Sequence, residues 1–165
     1  MFFKALNRRK RCEMPMDKAE SCDNVGEDLP ADVVVEFGSE KMCIKIKHGR
    51  VVEYKWPIAL GYGELDRKLA DMHGLKVSEA RQLRLKHAGP SGDEQIIGHV
   101  RGILRDEIMG LCQEVEACLR CYNASHRGGT RCGIEVVGKK KEAEWFSAFV
   151  VKELENREKR RQAAA

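Results

Sequence analysis

The spacing of apolar and polar positions changes abruptly at residue 32, and beyond it the chain reads as a series of regular elements. Val33-Val34-Val35 is a β-branched run ending at Phe37-Gly38, the pattern of a buried strand. Met42, Ile44 and Ile46 alternate with Cys43, Lys45 and Lys47, the period of two expected of a half-buried strand. His48-Gly49 reads as a two-residue turn, because glycine accepts the positive φ that tight hairpins need. Val51 to Trp56 is then the return strand, ended by Pro57. These runs predict three consecutive antiparallel strands.

Helical spacing follows. Gly61 and Gly63 break the chain before Leu65, Leu69 and Met72, which share one helical face, and Gly74 is placed to cap its C-terminus. A second short helix is expected with Ser78 as N-cap and Ala80, Leu83 and Leu85 on its apolar side. After an Ala88–Gly92 loop, Ser91 to Glu94 reads as a capping box. Ile97, Val100, Leu104, Ile108, Leu111, Val115, Cys118 and Tyr122 then recur at steps of three and four. That stripe predicts one continuous helix of about 30 residues, about 45 Å long. Gly102 and Gly110 each weaken it by about 1 kcal/mol relative to alanine and mark where it would bend. One helix over a sheet explains the stripe as well as a coiled-coil seam does. A short strand, Cys132 to Val137, ends at Gly138, and a last helix from Lys141 to about Arg157 buries Trp145, Phe149 and Leu154, with Phe146 or Val150 beside them.

A length of 165 residues suits one domain with tails. No apolar run approaches the roughly 20 residues of a membrane span. The net charge of +4 is unevenly spread. Residues 1–12 carry five bases and no acid, whereas residues 13–31 carry six acids against Lys18. Residues 32–138 are nearly balanced, with 16 bases and 15 acids, and residues 139–165 carry 8 bases and 5 acids. Residues 1–31 therefore read as a charged disordered tail, 32–157 as the folded body, and 158–165 as a frayed end. Phe2, Phe3 and Leu6 beside five cations would give the start weak contact with an anionic membrane, though a solvated tail is the simpler reading. A basic nucleic-acid-binding domain would carry its charge on a folded face, not at its ends.

Seven cysteines without a secretion signal point to a reduced, cytosolic protein. Cys118-Leu-Arg-Cys121, with Cys112, His126 and Cys132 nearby, has the elements of a zinc site. Cys112, Cys118 and Cys121 fall inside the helical stripe region, however, so buried small hydrophobes are the expected role and no metal is assigned. The five histidines are scattered over turns and helix faces, and no spacing defines a catalytic residue.

The element order is three strands, two short helices, a long helix, a strand and a helix. That is the pattern of a ribonuclease H-like, actin-like half-domain: an α/β lobe with a three-stranded antiparallel meander plus one further strand. Three phrases carry a closer likeness: Ala31-Asp-Val-Val-Val-Glu-Phe-Gly-Ser, Gly49-Arg-Val-Val-Glu-Tyr-Lys-Trp-Pro-Ile and Leu60-Gly-Tyr-Gly-Glu-Leu. They resemble the second-lobe opening of the PilM family, the actin-like type IV pilus assembly proteins. Lys68 to Lys86 is similar to that family's short helix pair, which ends in an Ala-Glu-x-x-Lys phrase. Glu107 to Tyr122 resembles its long helix, and Gly133 to Gly138 followed by Ala143-Glu-Trp-Phe resembles its late strand, glycine turn and helix. The resemblance spans about 32–155.

The resemblance implies a nucleotide-loop region at Glu36, Gly38, Ser39, Gly61 and Gly138, and that region departs from the family pattern. Glu36 stands where the family has a phosphate-contacting Asp. Glu40, Lys41 and Met42 replace small hydroxyl residues, and Glu40 would repel a phosphate unless a metal bridged them. Lys139 replaces a glycine that lies near the nucleoside in the family. An actin-like protein also has two lobes, and only a tail-like stretch precedes residue 32. The expectation is therefore a protein with no ATP hydrolysis and no cofactor, working through protein contacts. The resemblance implies a partner in a pilus or secretion platform at the cytoplasmic face of the inner membrane, or a second copy. The binding surfaces expected are the sheet edge near Val33–Phe37 and the last helix. Two alternatives stay open: an ATPase fragment that still binds ATP with magnesium through Gly38 and Gly138, and a basic-tailed nucleic-acid-binding protein.

Overall fold

The computed structural model describes residues 30–127 and 129–164. The charged stretches 1–12 and 13–29, with the membrane contact expected of the first, lie outside the described residues. Four strands form one sheet: β1 (Ala31–Phe37), β2 (Met42–His48), β3 (Val51–Ile58) and β4 (Thr130–Val137), in the order β3-β2-β1-β4. The first three pair antiparallel, and β4 pairs parallel with β1. The hairpin turn is Gly49-Arg50, one residue later than expected, because His48 still pairs with Val51; Gly49 takes φ 58°. Pro57 lies inside β3, opposite Cys43. β3 is an edge strand, where the missing N–H of proline breaks no ladder.

Alternation along β1 and β2 sends the apolar side chains to one face. Val33 pairs with Ile46, Val35 with Ile44 and Phe37 with Met42, and all six are buried. Ile134 and Val136 of β4 and Tyr54 and Trp56 of β3 extend that face. The other face carries Asp32, Glu36, Lys45 and Lys47, with Val34 buried among them and an ion pair from Lys45 to Glu36. The helices bury their apolar sides in a single core with the first face.

Those helices are α1 (Tyr62–His73), α2 (Val77–Gln82), α3 (Glu94–Ile103), α4 (Arg105–Ser125), α5 (Lys140–Phe146) and α6 (Lys152–Ala163). A wide π-helical turn, Leu83–His87, continues α2, and another, Ser147–Val151, joins α5 to α6. Gly74 ends α1 in the left-handed conformation at φ 64°, as its position implied. The N-caps differ from expectation. Lys76, not Ser78, precedes α2, and the Glu79 carboxylate accepts from the Lys76 backbone N–H at 2.9 Å. Asp93, not Ser91, caps α3, accepting from the N–H groups of Gln95 and Ile96 at 2.8 and 3.2 Å.

The expected 30-residue helix is broken at Leu104, whose φ of −90° and ψ of 12° separate α3 from α4. Neither Gly102 nor Gly110 is the breaking point. Val100, Leu104 and Ile108 remain buried across the break, so the apolar stripe keeps its phase. The last helix runs on to Ala163, beyond the end expected near Arg157, and both Phe146 and Val150 are buried in the core. β1 is not a sheet edge. It is paired on both sides, so the binding edge expected at Val33–Phe37 does not exist; among the described residues the two edge strands are β3 and β4.

Candidate functional site

Parallel pairing of β1 and β4 brings their carboxyl ends together, the place where α/β folds gather their ligand loops. Three glycine segments meet there. Gly38 opens the β1–β2 loop, and its N–H donates to the Lys41 carbonyl at 3.0 Å; a Cβ at Gly38 would lie 2.7 Å from that oxygen. Gly61 and Gly63 flank the start of α1. Cβ atoms there would lie 2.5 Å from the Gly38 and Ser39 carbonyl oxygens and 2.9 Å from the Ser39 oxygen. Gly138 follows β4 at φ 156°, and its Cβ would lie 2.9 Å from the Phe37 carbonyl oxygen.

The junction is closed by backbone. The Tyr62 N–H donates to the Gly38 carbonyl at 3.0 Å and the Gly63 N–H to the Ser39 carbonyl at 2.8 Å. These are first-turn amides of α1, the groups that would face an anion at a helix N-terminus. Here the β1–β2 loop already accepts from them, and the glycines serve the approach of one chain segment to another. At α5, Lys139 is the N-cap, with Lys140 and Lys141 in the first turn. Gly38, Ser39, Gly61 and Gly138 thus lie close together at this junction. Glu36 does not join them, because it lies on the other sheet face against Lys45. The Tyr62 and Gly63 amides at the start of α1 are thus engaged within the chain.

Beneath the junction lies an ionic cluster. Arg84 is completely buried; its Nε donates to Asp66 Oδ1 at 2.7 Å and an Nη donates to Glu142 Oε2 at 2.8 Å. Arg81 reaches the other Glu142 oxygen at 2.7 Å. The guanidinium carbons of Arg81 and Arg84 stand 5.0 and 4.9 Å from the ring centres of Tyr62 and Trp145. Arg84 thus ties α1, the turn after α2, and α5 together. The sequence reading missed it, placing Leu83 and Leu85 on the buried side. The signal was there in the spacing, since Arg84 lies four residues after the buried Ala80.

A second polar cluster sits near the turn between β2 and β3. Glu53 accepts from the Tyr122 hydroxyl at 2.8 Å and lies 2.8 Å from His48 Nδ1. Burial works against ionisation of Glu53, but the hydrogen bonds from His48 and Tyr122 outweigh it and lower its pKa. Burial, with the Glu53 contact added, pushes the Tyr122 phenol up to about 12. The cysteines of the helical stripe are core residues: Cys112 and Cys118 are fully buried, and burial pushes their thiols up to about 11 and about 12. Among the described residues, no group of three or more His, Cys, Asp or Glu side chains is placed to hold a metal ion.

No protein-family model and no curated protein matches the chain. Solved structures do. A chain of the "PilM-PilN type IV pilus biogenesis complex" superposes with a TM-score of 0.60 at 13% identity, covering 78% of this chain and 34% of that one. The ethanolamine utilization protein EutJ from Carboxydothermus hydrogenoformans gives a TM-score of 0.52 at 17% identity, covering 73% of this chain and 41% of that one. The fold is therefore actin-like, of the ribonuclease H-like class, with a mixed four-stranded sheet and its helices. The chain spans about a third to two fifths of the length of these structures. Among the described residues, no helix is long and apolar enough to cross a membrane.

Proposed function

We propose that this chain is a non-catalytic actin-like lobe that works by binding protein, in a type IV pilus or secretion platform at the cytoplasmic face of the inner membrane. The observation that carries the non-catalytic part is the closed glycine junction. The first-turn amides Tyr62 N–H and Gly63 N–H are spent on the Gly38 and Ser39 carbonyls, so this helix start does not offer them to a phosphate. Support for the pilus setting comes from the fold shared with a chain of the PilM-PilN complex. Binding of the full chain to purified cytoplasmic segments of pilus and secretion platform proteins, followed by surface plasmon resonance, tests the reading. The expected result is saturable binding to at least one segment, unchanged by ATP with magnesium. Binding to none of them, or binding that requires ATP, would overturn it.

A further inference from the structure

The groove between the α3–α4 junction and α6 has more positive charge than its own carboxylates can balance. It encloses about 580 Å³, with Arg101, Arg105, Arg157 and Arg160 around a floor of Ile108 and Met109. Glu153 is shared by three of these arginines: Arg101 at 2.8 Å, Arg160 at 3.0 Å and Arg157 at 3.6 Å. Glu116, beside it, is shared by Arg157 at 3.6 Å and Arg161 at 3.2 Å. Two carboxylates thus serve four guanidinium groups, and among the described residues Arg105 has no carboxylate partner. Position 102 is open, with nothing within 4 Å of a Cβ built there.

Such a surface calls for an anion, and its concave apolar floor fits a polypeptide better than a phosphodiester backbone. A segment with carboxylates flanking one or two flexible apolar side chains would match both features. The chain contains that segment: Glu13-Met14-Pro15-Met16-Asp17-Lys18-Ala19-Glu20, within the acidic stretch before β1. We propose that the acidic segment 13–20 of this chain docks into the arginine groove, with Arg105 and Arg160 drawing its carboxylates. The reach is sufficient. The Ala31 N–H donates to the Gly129 carbonyl at 3.1 Å, which ties the start of β1 close to the end of α4. From there the groove lies about 25 Å back along α4, at about 1.5 Å per helical residue. The ten residues from Glu20 to Pro30 span up to about 33 Å when extended. Exposed ion pairs contribute little singly and are screened by salt, so the docking depends on several pairs and on tethering, which raises the local concentration to the millimolar range. A partner with an acidic segment of its own would have to displace this one.

Disulfide trapping in the full chain tests the proposal. Cys12 adjoins the segment and Gly102→Cys places a thiol at the open position of the groove. Oxidation with glutathione disulfide in about 50 mM salt should join Cys12 to the thiol at position 102 within one chain. The expected yield, mapped by mass spectrometry, is at least fivefold above that with Val51→Cys, an exposed control on β3. Arg105→Glu with Arg160→Glu should remove the excess, as should about 0.5 M salt. Adding Glu13→Lys, Asp17→Lys and Glu20→Lys to the reversed groove should restore it, which separates lost attraction from lost folding. Equal yields at positions 102 and 51 would overturn the proposal. So would a cross-link formed only between two copies, or a groove that shows no cross-link but retains RNA or DNA in an arginine-dependent way.

Discussion

Arg84→Met should be among the most damaging single substitutions in this fold. Arg84 has no exposed surface, Asp66 is 2% exposed and Glu142 is fully buried. Removing the guanidinium leaves Asp66 without its 2.7 Å partner, and leaves Glu142 to the half-buried Arg81 alone. Breaking a buried pair from one side costs about 3–5 kcal/mol, against a total of about 5–15 kcal/mol for a domain. Unfolding entropy near 2.1 cal/mol/K per residue gives about 0.28 kcal/mol/K for a body of this size, so Tm should fall by about 10 °C or more. Urea unfolding followed by circular dichroism would show the midpoint shifting at unchanged slope. The triple variant Asp66→Leu, Arg84→Met, Glu142→Met should recover most of the loss, because an apolar core of similar volume carries no stranded charge. A loss below about 1 kcal/mol for Arg84→Met alone, or a triple variant worse than the single one, would refute the reasoning.

Glycine positions should split by what a Cβ would meet. Gly61→Ala, 2.5 Å from two carbonyl oxygens, should cost about 1–3 kcal/mol in urea unfolding, whereas Gly110→Ala in α4, with nothing within 4 Å, should gain about 0.5–1 kcal/mol. Maleimide labelling of the native chain at pH 7.5, read by mass spectrometry, should spare Cys112 and Cys118 until denaturant is added, since both thiols are buried and pushed far above that pH. Glu53 has a folded pKa below its ordinary 4.5, so its contribution to stability is present above about pH 4.5 and fades as pH falls through the lowered value. Glu53→Gln should therefore flatten that part of an acid-unfolding profile. For Tyr122 the sign is reversed: its contribution holds below about pH 10 and is lost as pH rises toward 12, and Tyr122→Phe should remove that alkaline loss.

The meander was legible because period-two alternation is a local property: each of Met42, Ile44 and Ile46 shows its face by its neighbours. Strand order is not local. Nothing within Val33–Phe37 says that β4 arrives a hundred residues later to cover its free side, and this turned an expected edge into the sheet centre. The break at Leu104 escaped detection for a related reason. Val100, Leu104 and Ile108 stay on the core side of both helices, so the stripe carries no trace of the interruption. Ser91 and Ser78 looked like caps by residue type, but Asp93 and Glu79 hold the geometry, and a shift of one or two positions is invisible to pattern.

At the candidate site, the glycines were legible and the backbone contacts they admit were not. Gly38, Gly61 and Gly138 marked where backbone must approach closely, and they do converge. Other backbone approaches them, through the hydrogen bonds from Tyr62 and Gly63, and those bonds join segments more than 20 residues apart. Glu36 was drawn into the set by alignment with an acidic position, though its place in β1, between Val35 and Phe37, already put it on the opposite face. The spacing of Arg84 from Ala80 was a weak signal, because a charged residue beside a short amphipathic helix ordinarily points to water. Its partners Asp66 and Glu142 lie 18 and 58 residues away.

The central claim is that the glycine junction is filled by the chain's own backbone. Isothermal titration of the full chain with ATP and magnesium tests it most directly. The account predicts no saturable heat up to millimolar nucleotide, and the same for Gly61→Ala. Stoichiometric, magnesium-dependent binding that is lost in Gly61→Ala would contradict it.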